Sequence, residues 1–157
     1  MPRQEFDYII FHDIENNIPG KILEKWPLHI TLTPYFLLEN LAENDLLNNV
    51  KKYISNVGSI AINIKDQAYF GPKNNILVSR VDDVSGKLRD LHLTLISVIG
   101  KLGCSFSDLK YSNANYSPHI THLPNKQLPE TDYWIDTISI GKKLSDSQKL
   151  IVEKYYL

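Results

Sequence analysis

The 157-residue chain has a formal net charge of −1 and is 43% apolar. These values suit one domain with a sizeable core and argue against a protein that coats long nucleic acid, which needs a strong basic excess. Cys104 is the only cysteine, which excludes an intrachain disulfide and a cysteine zinc cluster.

Met1-Pro2-Arg3-Gln4-Glu5 lacks the apolar run of a leader, and the apolar stretch around Leu91–Ile99 is too short to span a bilayer. A soluble cytoplasmic protein with no membrane partner is the expectation. In chain order, Phe6–Ile14 has strand composition, and Ile18–Trp26 reads as a short helix or turn opened by Pro19-Gly20. A short strand over residues 28–33 carries the tripeptide His29-Ile30-Thr31. Asp45–Val57 is a predicted helix, with Leu46, Val50, Ile54 and Val57 at three- and four-residue steps and Asn44 as N-cap. Ser59–Phe70 and Ile76–Val81 form a hairpin around the turn Gly71-Pro72-Lys73-Asn74-Asn75. Ser85–Leu102 is a second helix, with a buried stripe of Leu88, Leu91, Leu95, Val98 and Leu102 and Gly103 at its end. Ser105–Ser117 reads as a loop with an edge segment. A second tripeptide, His119-Ile120-Thr121, then begins a strand, and Tyr133–Ile140 and Lys149–Tyr156 are the last two strands.

The repeated tripeptide carries the chemistry. Each copy closely follows a proline, Pro27 or Pro118, and each sits in a strand-like run. Residues i and i+2 of a strand share a face, so each histidine shares a face with its own threonine. Two such strands side by side would line one cleft with two imidazoles and two hydroxyls. Imidazole titrates near neutral pH and can take or give a proton. Hydroxyls can donate to phosphate oxygens as charge builds on them.

Pro27-Leu28-His29-Ile30-Thr31-Leu32 and Pro118-His119-Ile120-Thr121, with their spacing, resemble the paired motifs of the 2H phosphoesterase superfamily, which includes the 2′-5′ RNA ligase-like proteins and cyclic phosphodiesterases. Tyr69-Phe70-Gly71, Leu88–Leu95 and the closing strands resemble the family's hairpin, second helix and final strands. The resemblance implies an α+β fold, with two antiparallel sheets facing across a cleft and helices outside, built as one domain over 1–157 from two pseudo-symmetric lobes. It implies His29 and His119 as catalytic residues, Thr31 and Thr121 as phosphate-binding residues, and no metal or other cofactor. The expected substrate is a nucleotide or RNA end: a 2′,3′-cyclic phosphate, or a 2′-5′-linked or cyclic oligonucleotide. The alternative is a catalytically silent module that binds nucleotides or RNA ends. Which histidine is the base stays open at this level, as does the oligomeric state.

Other residues carry bland readings beside functional ones. Tyr35, Phe36, Tyr69, Phe70, Tyr111 and Tyr116 are aromatic residues at strand ends or loops that could stack on a base. Phe70 and Tyr116 are the substrate-contact candidates, as each adjoins a motif feature. Lys73, with Arg80, is a candidate source of positive charge. His122 has the wrong parity to join His119 on the cleft face. His92 reads as a satisfied helix histidine and His12 as a surface histidine at a strand end. A metal site of His12, His29 and His119 lacks ligand spacing and a carboxylate partner.

Overall fold

A computed structural model describes residues 6–157; the N-terminal residues read above for a leader lie outside them. All six residues of β1 (Tyr8–Asp13) are buried, and the molecule is organised around that strand. In chain order follow β2 (Ile22–Leu23), β3 (His29–Thr31), β4 (Phe36–Leu37), α1 (Glu43–Ile54), β5 (Ile60–Phe70), β6 (Ile76–Asp82) and α2 (Lys87–Lys101). Then come β7 (Ser105–Phe106), a 3₁₀ turn over Asn113–Asn115, β8 (His119–Thr121), β9 (Asp132–Ile135), β10 (Thr137–Ser145) and β11 (Gln148–Tyr156). This is the expected α+β fold. The strands hydrogen-bond in the order β2-β11-β10-β1-β3-β8-β6-β5-β9, with β4 and β7 attached beside β1. Hydrogen bonding is therefore continuous, and its two halves join where β3 pairs antiparallel with β8.

Both helices cover one face. Leu46, Val50 and Ile54 of α1 and Leu88, Leu91, Leu95 and Ile99 of α2 pack against Ile10, Ile30, Ile120, Ile138 and Ile140 in one cluster. Burying these large aliphatic side chains, at roughly 1.5–3 kcal/mol each, is the main force holding the halves together. The central isoleucines of both tripeptides belong to this core, so alternation sends their flanking residues to the opposite face.

Four local expectations need correction. α1 begins before Asn44, with Ala42 at the N-cap position, because the Tyr8 hydroxyl donates to Glu43 at 2.5 Å and ties the first turn to β1. α2 begins at Lys87 rather than Ser85. Gly86, at φ 78°, turns the chain, and the Asp83 carboxylate accepts from the amides of Leu88 (3.1 Å) and Arg89 (2.9 Å). The Ile18–Trp26 segment holds a short edge strand, β2, paired with β11. Tyr133–Ile140 is not one strand: it breaks at exposed Asp136, so that β9 pairs with β5 while β10 pairs with β1 and β11.

Candidate active site

The join between the halves brings the two tripeptides together. Ile30 stands opposite Ile120, so the antiparallel register sets Thr31 beside His119 and His29 beside Thr121. On the outer sides, Arg80 of β6 stands opposite His119 and Val78 opposite Thr121. Phe11 and Asp13 of β1 stand opposite Thr31 and His29. Two rows thus run across one face of the sheet: Arg80, His119, Thr31, Phe11, and Val78, Thr121, His29, Asp13. Each histidine is flanked by the threonine of the other motif, so each row contributes one imidazole and one hydroxyl.

The two imidazoles are held alike. His29 Nδ1 lies 2.6 Å from the Pro27 carbonyl, and His119 Nδ1 lies 2.9 Å from the Ser117 carbonyl. A carbonyl oxygen only accepts, so each Nδ1 carries hydrogen and each Nε2 is the nitrogen left for other chemistry. An aromatic edge supports each ring: Phe11 on His29 at 5.2 Å between centroids, and Phe70 on His119 at 4.8 Å. Burial holds His29 below the ordinary imidazole value of 6.5. The neighbouring His119 acts in the same direction, while the Pro27 carbonyl and the Asp13 carboxylate oppose it. A neutral His29 with hydrogen on Nδ1 presents a bare lone pair at Nε2.

A cavity of about 400 Å³ opens beside this pair. His29, Thr31 and His119 line it, with Trp26, Tyr35 and Tyr111 as aromatic wall. Its size and apolar lining suit a small organic ligand. Among the described residues, Asp108 is the one carboxylate in its lining, and no lysine or arginine lines it. The indole of Trp26 donates to the Tyr35 hydroxyl at 2.6 Å and meets Phe11 edge-on at 5.4 Å, so the wall is braced against the ring that supports His29. Trp26 lies so close to β10 that a Cβ at Gly141 would stand 2.6 Å from its ring.

The remaining sequence candidates separate clearly. Tyr116 lines the cavity, but its ring lies flat on His92 at 3.9 Å and its buried hydroxyl donates to the Thr31 carbonyl at 2.8 Å. One ring face and the hydroxyl are thus committed to protein. Phe70 touches His119 but does not line the cavity. Lys73 stands exposed at the hairpin tip. Thr121 shares the motif face but lies outside the cavity lining. His92 is fully satisfied: Nδ1 donates to the Leu32 carbonyl at 2.7 Å, and Nε2 accepts from the Asn113 amide at 2.9 Å.

His122 turns away, as its parity requires, and bonds Ser79 at 2.8 Å. The surface reading of His12 is wrong. It pairs with Ile30 on the core side and is 1% exposed, with Nδ1 donating to the Thr137 carbonyl (2.7 Å) and Nε2 accepting from Tyr133 (2.6 Å). It cannot join His29 and His119 around a metal, and among the described residues no group of three or more His, Cys, Asp or Glu is placed to hold one. Sequence reasoning missed Trp26, Asp108 and Phe11. Only the position of Trp26, just before the first motif, was a signal for any of them.

No curated protein matches the chain. Among solved structures, it superposes on a phosphoesterase with a TM-score of 0.58 at 14% identity, covering 96% of this chain and 97% of that one. LigT of E. coli, complexed with NADP+, gives 0.56 at 13% identity, with 96% of each chain covered. The protein TT0787 of Thermus thermophilus gives 0.56 at 14% identity, covering 96% of this chain and 97% of that one. At such identities these likenesses show a shared fold. The family model described as the 2′-5′ RNA ligase superfamily matches residues 11–149, both tripeptides included, and the chain therefore belongs to that superfamily.

Proposed function

We propose that the protein is a metal-independent phosphodiesterase acting on a nucleotide or RNA end, with His29 and His119 as the proton-transfer pair. The observation that carries this reading is the pair of cross-strand rows, in which each imidazole, held through Nδ1, stands across from the threonine of the other motif. Family membership supports phosphoester chemistry, and structures of LigT with 3′-AMP, ATP and NADP+ make nucleotides the substrates to test first.

With a 2′,3′-cyclic phosphate as substrate, His29, kept neutral by burial, takes a proton from water at Nε2. The water oxygen bonds to phosphorus as the bond to one ribose oxygen breaks. His119 donates its Nε2 proton to that leaving oxygen. Thr31 and Thr121 donate to the non-bridging oxygens, where negative charge grows in the transition state. The products are a nucleoside monophosphate and an enzyme with its two protonation states exchanged, which solvent resets.

The cavity holds the base. Trp26, Tyr35 and Tyr111 offer ring surface for stacking, and Asp108 can accept from ring or exocyclic N–H groups. Because no lysine or arginine among the described residues lines the cavity, that side of the cleft suits a base better than a further phosphate. Lys73 at the hairpin tip lies outside this cavity, and its part is to attract an anionic substrate over longer range.

Turnover in EDTA of 2′,3′-cyclic nucleotides, 2′-5′ and 3′-5′ oligonucleotides and cyclic oligonucleotides tests the reading. Cleavage of at least one class without added metal is expected. Cleavage of none, or cleavage that needs a divalent ion, overturns it. Nucleotide binding without turnover would instead favour the silent binding module.

A further inference from the structure

We infer that Arg80 reads a second phosphate, one position along from the phosphate that reacts, and that the preferred substrate is therefore a nucleotide or oligonucleotide end with at least two phosphate groups. The inference rests on the reading of His29 and His119 as the reacting pair.

Arg80 is directly opposite His119 in the β6–β8 register, on the face that carries both motifs. Its side chain is exposed, and among the described residues it has no hydrogen-bond, ion-pair or ring partner. Asp82, two residues along the same face, is already paired with Lys65 at 3.7 Å. A guanidinium with no carboxylate to neutralise it, in line with a phosphate site, attracts anions and can engage a phosphate through two donors at once.

Position decides which phosphate. The hydroxyls of Thr31 and Thr121 and both imidazoles belong to β3 and β8, so the reacting group lies over those two strands. Arg80 stands one strand further out, about 4.8 Å away in the sheet, on the side remote from β1 and from the aromatic wall at Trp26 and Tyr35. A base in the cavity and a reacting phosphate over β3–β8 leave the next phosphate of the same nucleotide to emerge over β6. For a terminal 2′,3′-cyclic phosphate, that group is on the 5′ oxygen. Charge along the cleft agrees: Asp108 is on the base side and Arg80 on the outer side.

Two assays test the assignment. kcat/KM is compared for adenosine 2′,3′-cyclic phosphate with and without a 5′-phosphate. Affinity is measured calorimetrically for adenosine 3′,5′-bisphosphate against adenosine 3′-monophosphate. The parent is expected to favour the 5′-phosphorylated compound about tenfold or more in both assays, as a charge-assisted hydrogen bond would give. In Arg80→Gln the ratio should fall to near one, and Arg80→Lys should keep part of it. The ratio should also shrink as salt is raised. The side chain is exposed, so both variants should melt with the parent. The inference is overturned if the parent shows no preference, if Arg80→Gln retains it, if Lys73→Gln removes it instead, or if the parent fails to bind the bisphosphate. Absence of turnover with every compound would count against the proposed catalysis alone, since the binding comparison still decides the role of Arg80.

Discussion

A backbone carbonyl two residues upstream fixes the tautomer of each motif histidine, and burial lowers the pKa of His29. Because the folded His29 has its pKa lowered, it stays neutral to below the ordinary value of 6.5, as its proposed role as base requires. The acidic limb of kcat/KM against pH, which reports the free enzyme, should therefore fall below 6.5. An acidic limb above that value would contradict His29 as the base. Tyr116 acts through the backbone: its hydroxyl holds the Thr31 carbonyl, and its ring rests on His92. Tyr116→Phe removes the hydroxyl that bonds this part-buried carbonyl and should cost about 1–2 kcal/mol in denaturant melts, with a lower kcat. The same substitution with full stability and full activity would remove Tyr116 from the account. At this scale the sequence was legible where chemistry repeats. The i, i+2 spacing was enough to put His29 with Thr31 and His119 with Thr121, and parity was enough to turn His122 away. His12 was misread because its buried polar partner, Tyr133, lies far away in sequence and leaves no local trace.

At the scale of elements, the motif strands are three residues long and take their position from their neighbours. β1 holds β3, β6 holds β8, and the paired isoleucines fasten the two together. Glu15 adds a strap: its carboxylate accepts from the Leu28 amide at 2.6 Å and pairs with Lys126 at 2.5 Å, linking the approach to β3 with the segment after β8. On the other flank, Gly141 of β10 leaves room for Trp26, whose ring meets Phe11 and bonds Tyr35. Gly141→Ala should push Trp26 away, shift its fluorescence and destabilise the fold by about 1–3 kcal/mol, the usual cost of overpacking. An unchanged spectrum and an unchanged melt would show that the wall is not set by this contact. Helices with a clear apolar stripe were legible, apart from their first residues and the end of α1, which stops at Ile54 instead of running on to Val57. The break at Asp136 was not, because strand-forming residues continue on both sides of it and only the pairing of β9 with β5 and β10 with β1 divides the segment.

Across the whole molecule, two buried histidines, His12 and His92, and the half-buried His29 make stability depend on pH. Burial lowers the pKa of His12, His29 and His92 below 6.5. The unfolded chain then binds more protons than the folded one as pH drops through and below 6.5, so stability is full above that value and is lost as acid is added. The melting temperature should fall between pH 7 and pH 5, and His12→Gln should flatten the fall while lowering stability at pH 7. A flat profile for the parent would contradict the buried, neutral state. The continuous sheet and shared core lead us to propose one cooperative domain of two pseudo-symmetric halves, in which near- and far-ultraviolet dichroism would melt together. Among the described residues, no helix is long and apolar enough to cross a membrane.

The most direct test of the central proposal is kcat/KM, in EDTA, for the parent, His29→Ala, His119→Ala and the double variant on one cleaved substrate. A pair that works as a unit predicts a loss of about 10²–10⁴ for each single variant, and a double variant little worse than the weaker single. Retention of the parent rate by either single variant, with the fold intact by dichroism, would contradict two-histidine catalysis.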